Sequence, residues 1–190
     1  MVEIRNLTKS YDNRVIFDDF SYHFDEKGLY AIVGESGRGK TTLLRIIAHL
    51  ESFQKGTLKS PKRTAYSFQE YRLFERLNVY ANIEMVAFRK VNEEDKKKIL
   101  ALLARLHLSD AIDLYPSQLS GGMRQRVSLI RAFASDAPLV LLDEPFKELD
   151  QSLIDTVVEI IQEIASKKLV IFTAHDEAFA DRMGAKIIHL

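Results

Sequence analysis

Residues 29–42 read LYAIVGESGRGKTT, five apolar residues that break into glycines and a lysine before an apolar pattern resumes. The run 29–33, with turn residues on either side, suits a buried strand of a parallel sheet. From Thr42 to Leu50 apolar residues recur at three- and four-residue spacing, which predicts a helix. Between the two, Gly34, Gly39, Lys40 and Thr41 stand at the spacing of a phosphate-binding loop. The chemistry accounts for that spacing. Glycines let the stretch Gly34, Glu35, Ser36, Gly37, Arg38 and Gly39 wrap closely around phosphate oxygens, and successive N–H groups, on into the helix start at Thr42, point at the anion. Lys40 is placed to reach the terminal phosphates of a nucleotide, and the Thr41 hydroxyl to ligate Mg2+.

The same alternation of strand and helix continues along the chain. LVLL (139–142), LVIF (169–172) and KIIHL (186–190) are short apolar runs suited to further buried strands. Gln125 to Phe133 and Leu153 to Ala165 carry the helical spacing expected of the layers that cover a parallel sheet. The class is therefore α/β. The opening segments VEIRNL (2–7) and FDDFSYHF (17–24) alternate more and predict a small N-terminal antiparallel β lobe. Residues from about 71 to 120 lack a comparable buried strand. They contain NVYANIEMVAF (78–88) and EEDKKKILALLARLHL (93–108), in which Ile99, Leu102, Leu103 and Leu106 share a helical face, so an inserted helical subdomain is expected there. With no repeat or flexible linker, residues 1–190 read as one domain, its core and β lobe formed by 1–70 and 121–190.

The loop alone fits a GTPase, a kinase or a transport ATPase, although no NKxD-type guanine selector is present. PLVLLDEP (138–145) adds two acids at the end of an apolar run, where side chains at the carboxyl end of a parallel strand face the phosphate crevice. Asp143 is the candidate Mg2+ holder and Glu144 the candidate general base for the attacking water. Composition bounds the partners. Lys plus Arg equals Asp plus Glu at 27 each, so no general attraction to nucleic acid or anionic lipid is expected. No apolar run approaches the roughly 18 residues that cross a bilayer, and MVEIRNLTKS lacks a secretory apolar stretch, so a cytosolic location is expected. There is no cysteine and hence no disulfide framework.

LSGGMRQRVSLIRAF (119–133) reads by itself as a helix capped by Ser120, or, where it serves the nucleotide of another subunit, as a second anion site in which Gly121 and Gly122 let the ligand approach the exposed N–H groups. This stretch resembles the LSGGQ signature of the ABC ATPases, and the resemblance spans nearly the whole chain. It implies a head-to-tail dimer in which the phosphate loop of one copy and Ser120 to Gly122 of the other enclose each ATP. It also implies further roles. Tyr11 is similar to the aromatic that stacks on adenine, with an ordinary edge-strand aromatic as the alternative. Gln69, in SFQE, resembles the glutamine that touches Mg2+ and water and reports to the membrane subunit; Asp150, in KELD, resembles the D-loop aspartate; His175, in FTAHD, resembles the switch histidine. Met123 replaces the usual signature glutamine and Lys147 a frequent D-loop serine. Neither position is expected to touch phosphate, so hydrolysis stands as the expectation.

YRLFERLNVYANI (71–83) looks like the corresponding region of importer subunits, and the build resembles the nitrate, sulfonate and taurine group. The implied assembly is two ATPase copies and two permease subunits, with an extracytoplasmic binding protein, peripheral on the inner face of the cell membrane. The C-terminal regulatory domains of some importers are not expected, because KIIHL ends the chain. Export or lipid and lipoprotein extraction is the alternative within the family. A soluble ATPase acting on DNA or ribosomes is the alternative outside transport; it usually brings a coiled-coil insertion or a second cassette, which this sequence lacks.

Overall fold

The apolar runs pair side by side because each is apolar on both faces and needs cover on both. In the computed structural model, which describes residues 1–86 and 91–190, the strands are β1 (Val2–Tyr11), β2 (Arg14–Phe24), β3 (Gly28–Val33), β4 (Lys55–Lys59), β5 (Thr64–Ser67), β6 (Leu139–Leu142), β7 (Leu169–Ala174) and β8 (Lys186–His189). The helices are α1 (Lys40–Ile47), α2 (Val79–Glu84), α3 (Glu93–Arg105), α4 (Gly121–Ala134), α5 (Gln151–Ala165) and α6 (Glu177–Arg182). Residues 87–90, part of the predicted helical insertion, lie outside the described residues.

Five strands form a sheet in the order β5-β6-β7-β3-β8, every pair parallel, and β2-β1-β4 form a separate antiparallel sheet. Strand β5, TAYS, is not announced by an apolar run: it alternates half-buried and buried residues as an edge strand does. Register decides where the chemistry can sit. Val33 pairs with Ala174, Leu142 with Phe172 and Ser67 with Leu142, so β3, β5, β6 and β7 deliver their next residues to one end of the sheet.

Alternation along β3 divides the interior. Tyr30 and Ile32 face a core shared with α1 and the antiparallel sheet, while Leu29, Ala31 and Val33 face a core with α3, α4 and α5. In α3, Ile99, Leu102 and Leu103 are buried, as is Leu106 just beyond it, so their shared face points inward as the spacing requires. The helix opens with a capping box between Asn92 and Asp95. Helix α1 runs from Lys40 to Ile47 rather than from Thr42 to Leu50. It starts early because Gly39, at φ 99°, turns the loop directly into it, and it stops early because His49 adopts φ 58°.

Candidate active site

The phosphate loop is held in place from both sides. Gly39 could not be alanine without collision: a Cβ there would lie 2.5 Å from Cγ2 of Ile16 and 3.0 Å from Cζ of Phe17. Arg14, at the tip of the β1–β2 hairpin, donates to the carbonyl of Gly37 at 2.8 Å. Lys40 is 7% exposed, and its ammonium donates to the carbonyls of Gly34 at 2.6 Å and Glu35 at 2.9 Å, curling back into the loop that the sequence assigns to phosphate. Ser36 and Thr42 lie in the same turn and helix start, and Glu35 and Arg38 face each other at 3.7 Å on its exposed rim.

At the end of β6, Asp143 is 2% exposed and accepts from Thr41 Oγ1 at 3.1 Å and Thr173 Oγ1 at 2.9 Å. Burial pushes its carboxyl above the ordinary range, and the two hydroxyls and Arg45 offset this only in part. Its charge is thus under-compensated, and a cation beside it would relieve the cost. Among the described residues no group of three or more His, Cys, Asp or Glu can hold a metal ion. A carboxylate with one hydroxyl fits Mg2+, which takes few protein ligands and fills its shell with phosphate oxygens and water.

Glu144 stands next in line. Its backbone adopts φ 52°, a left-handed conformation unusual for a side chain of this size. The turn is secured by Glu144 N donating to Thr173 Oγ1 at 2.8 Å and by the buried Gln125 amide donating to the carbonyl of Pro145 at 3.2 Å. The carboxylate is thereby aimed between two partners: Gln69 Nε2 donates to Oε2 at 3.1 Å, and His175 Nε2 lies 3.2 Å from Oε1. Lys40, Thr41, Gln69, Asp143, Glu144 and His175, spread over 136 positions of sequence, therefore meet at one end of the sheet. A groove of about 960 Å³, floored by Ile154, Val158 and Phe179, opens from Glu144 and His175.

The remaining candidates stand apart from that cluster. Tyr11, 42% exposed, sits at the hairpin tip with Lys9 Nζ 4.3 Å from its ring centre. Ser120 caps α4, accepting from Met123 N at 3.3 Å, and Gly121 and Gly122 lie against Glu148 rather than against the phosphate loop. Asp150 caps α5, accepting from Leu153 N at 3.0 Å and Ser152 Oγ at 2.7 Å. Thr173, Gln125, Arg14, Tyr71 and Glu148 were invisible to motif reasoning. Only Thr173 left a signal, as a hydroxyl at the end of an apolar run beside His175.

A sequence model of the ABC transporter family matches residues 17–147, from the β1–β2 hairpin past the phosphate loop, the Ser120–Gly122 helix start and the Asp143–Glu144 pair. The chain belongs to the ABC transporter ATP-binding family. Among curated ABC proteins, the sulfate/thiosulfate import ATP-binding protein of Cucumis sativus is 34% identical over 98% of this chain and 59% of its own length. A probable amino-acid import ATP-binding protein of Bacillus subtilis (strain 168) is 32% identical over the whole chain and 85% of its length. The chain thus spans 59% of the length of the sulfate/thiosulfate relative. A dimeric ATP-binding cassette solved in a post-hydrolysis state with ADP and Pi superposes with a TM-score of 0.89 at 26% identity, covering 100% of this chain and 94% of that one. The ATP-binding subunit of another ABC transporter superposes at 0.91 and 23% identity, over 100% and 85%, and shares the fold.

Proposed function

We propose that this ABC cassette is the ATP-hydrolysing subunit of a membrane importer, acting as a dimer that encloses nucleotide between two copies. The observation that carries the reading is Glu144, a carboxylate forced into a strained turn and held between Gln69 and His175 beside a loop built for phosphate. Glu144 takes the proton of the attacking water, His175 holds the terminal phosphate as charge develops, and Gln69 fixes the carboxylate and the water. Lys40 and the N–H groups from Gly34 to Thr42 bind the phosphate chain, and Tyr11 takes the adenine. Thr41, Asp143 and Gln69 would hold Mg2+, which neutralises phosphate charge when bound. Ser120, Gly121 and Gly122 close on the partner copy's nucleotide, and Asp150 carries the message across the dimer.

The names of the relatives support import, and the post-hydrolysis dimer supports both turnover and pairing. We take residues 1–190 as a single cassette, with about 71–120 as its helical lobe. No described helix is long and apolar enough to cross a membrane, so the subunit reaches the inner face of the membrane through permease subunits, with an extracytoplasmic binding protein delivering cargo. A second groove, of about 430 Å³ and lined by Met85, Val86 and by Phe68, the residue before Gln69, is where we place the permease contact.

Replacing Glu144 with Gln tests the core of this reading. Glutamine preserves the shape and the Gln69 contact while removing the base, so turnover falls by about 10² to 10⁴ while ATP still binds. An unchanged rate of phosphate release sinks the assignment.

A further inference from the structure

Glu148 lies close against the helix start offered to the partner's nucleotide. A Cβ added to Gly121 would collide with the carboxylate of Glu148, and one added to Gly122 would come within 2.9 Å of the Glu148 carbonyl oxygen. Glu148 itself is held there, at φ 59°, by the Tyr71 hydroxyl donating to its Oε2 at 2.6 Å. Among the described residues no lysine, arginine or histidine forms an ion pair with it, and the first turn of α4 has no acid of its own. The carboxylate beside the positive end of α4 is therefore that of the segment that follows the Asp143–Glu144 strand.

We propose that Glu148 is an acidic latch over the Ser120–Gly122 helix start, occupying in the free subunit the approach that the terminal phosphate of the partner copy's ATP takes on closure. The inference rests on the sandwich-dimer reading and adds a residue that sets how much nucleotide closure requires. A carboxylate beside Gly121 repels an incoming phosphate, so the two anions compete for this approach. Tyr71 holds the latch shut through the hydrogen bond that its hydroxyl donates to the Glu148 carboxylate. The latch connects two parts of the site, because Tyr71 lies two residues from Gln69 and Glu148 four from Glu144.

The test uses the full chain carrying Glu144→Gln, which retains ATP, and measures by sedimentation the ATP concentration at which half of the protein is dimeric. Adding Glu148→Gln keeps the shape and an acceptor for Tyr71 while removing the charge. Two unit charges about 4 Å apart and fully screened by water repel strongly enough to move the half-dimer point about fivefold lower when one is removed, and weaker screening enlarges the shift. The gap narrows as salt is raised, because it is electrostatic. Tyr71→Phe, which frees the carboxylate but keeps its charge, shifts the point in the same direction by less. A half-dimer point that is unchanged or higher in Glu148→Gln overturns the latch. A Glu144→Gln parent that stays monomeric at every ATP concentration overturns the sandwich itself and the latch with it, so the two failures read differently.

Discussion

Replacing Asn82 with alanine is expected to unfasten the segment that leads from Gln69 into the helical lobe. The Asn82 side chain is 0% exposed. Its Oδ1 accepts from Phe74 N at 2.8 Å, and its Nδ2 faces the carbonyls of Leu77 at 2.8 Å, Phe74 at 3.1 Å and Asn78 at 3.1 Å. Two amide hydrogens serve three carbonyls, so the side chain supplies about three full hydrogen bonds. At about 0.5–1.5 kcal/mol each, with the orphaned Phe74 N–H adding to the cost, truncation removes about 2–4 kcal/mol. For a chain of this size that is a fall in Tm of about 5–15 °C. Aspartate separates the hydrogen bonds from mere volume. It keeps the acceptor for Phe74 N but turns a charged oxygen toward three carbonyls, so at neutral pH it is at least as damaging as alanine, and it recovers in acid as the carboxyl protonates. Urea unfolding followed by circular dichroism measures both variants. A loss below about 1 kcal/mol for alanine, or aspartate tolerated as well as asparagine at neutral pH, refutes the claim that these bonds hold the segment.

Two further outcomes follow from the geometry. Lys40→Ala leaves the Gly34 and Glu35 carbonyls unpaired and the phosphates without their cation. The parent gains about 2.7 kcal/mol of apparent stability at a hundredfold excess of Mg-ATP over Kd, and the variant gains almost none; equal thermal shifts in scanning fluorimetry would exclude the role of Lys40. Asp25 is held below the usual carboxyl range by a hydrogen bond from Lys186 and then one from Tyr30, tying β3 to β8 across an exposed rim. A lowered folded-state pKa gives stability above the ordinary value of 3.8 that is lost as pH falls through the lower folded value. Asp25→Asn is therefore less stable than the parent at neutral pH, and their melting temperatures converge in strong acid; a gap that persists there contradicts the pairing.

The pattern of apolar runs and glycines carried much of the architecture, because burial on two faces and close approach to phosphate are demands on residue type at short range. It placed β3, β6, β7 and β8 and the helices α1, α4 and α5, but not the short α6 between β7 and β8. The edge strand β5 escaped, since a four-residue edge alternates instead of running apolar. The ends of helices shifted for local reasons, Gly39 and His49 for α1 and the Ser120 cap for α4.

What the sequence by itself determined is which residue types are available: a glycine-rich loop with Lys40 and Thr41, an acid pair after an apolar run, a serine and two glycines at a helix start, and a zero net charge. Only the tertiary structure decided their company. Parallel register set Asp143 beside Thr41 and Thr173, aimed Glu144 between Gln69 and His175, and laid Glu148 across Gly121 under the hydroxyl of Tyr71. The partners in these contacts lie about 30 to 100 positions apart, a separation at which no local periodicity operates, and they meet because buried strands must align their ends to complete the sheet.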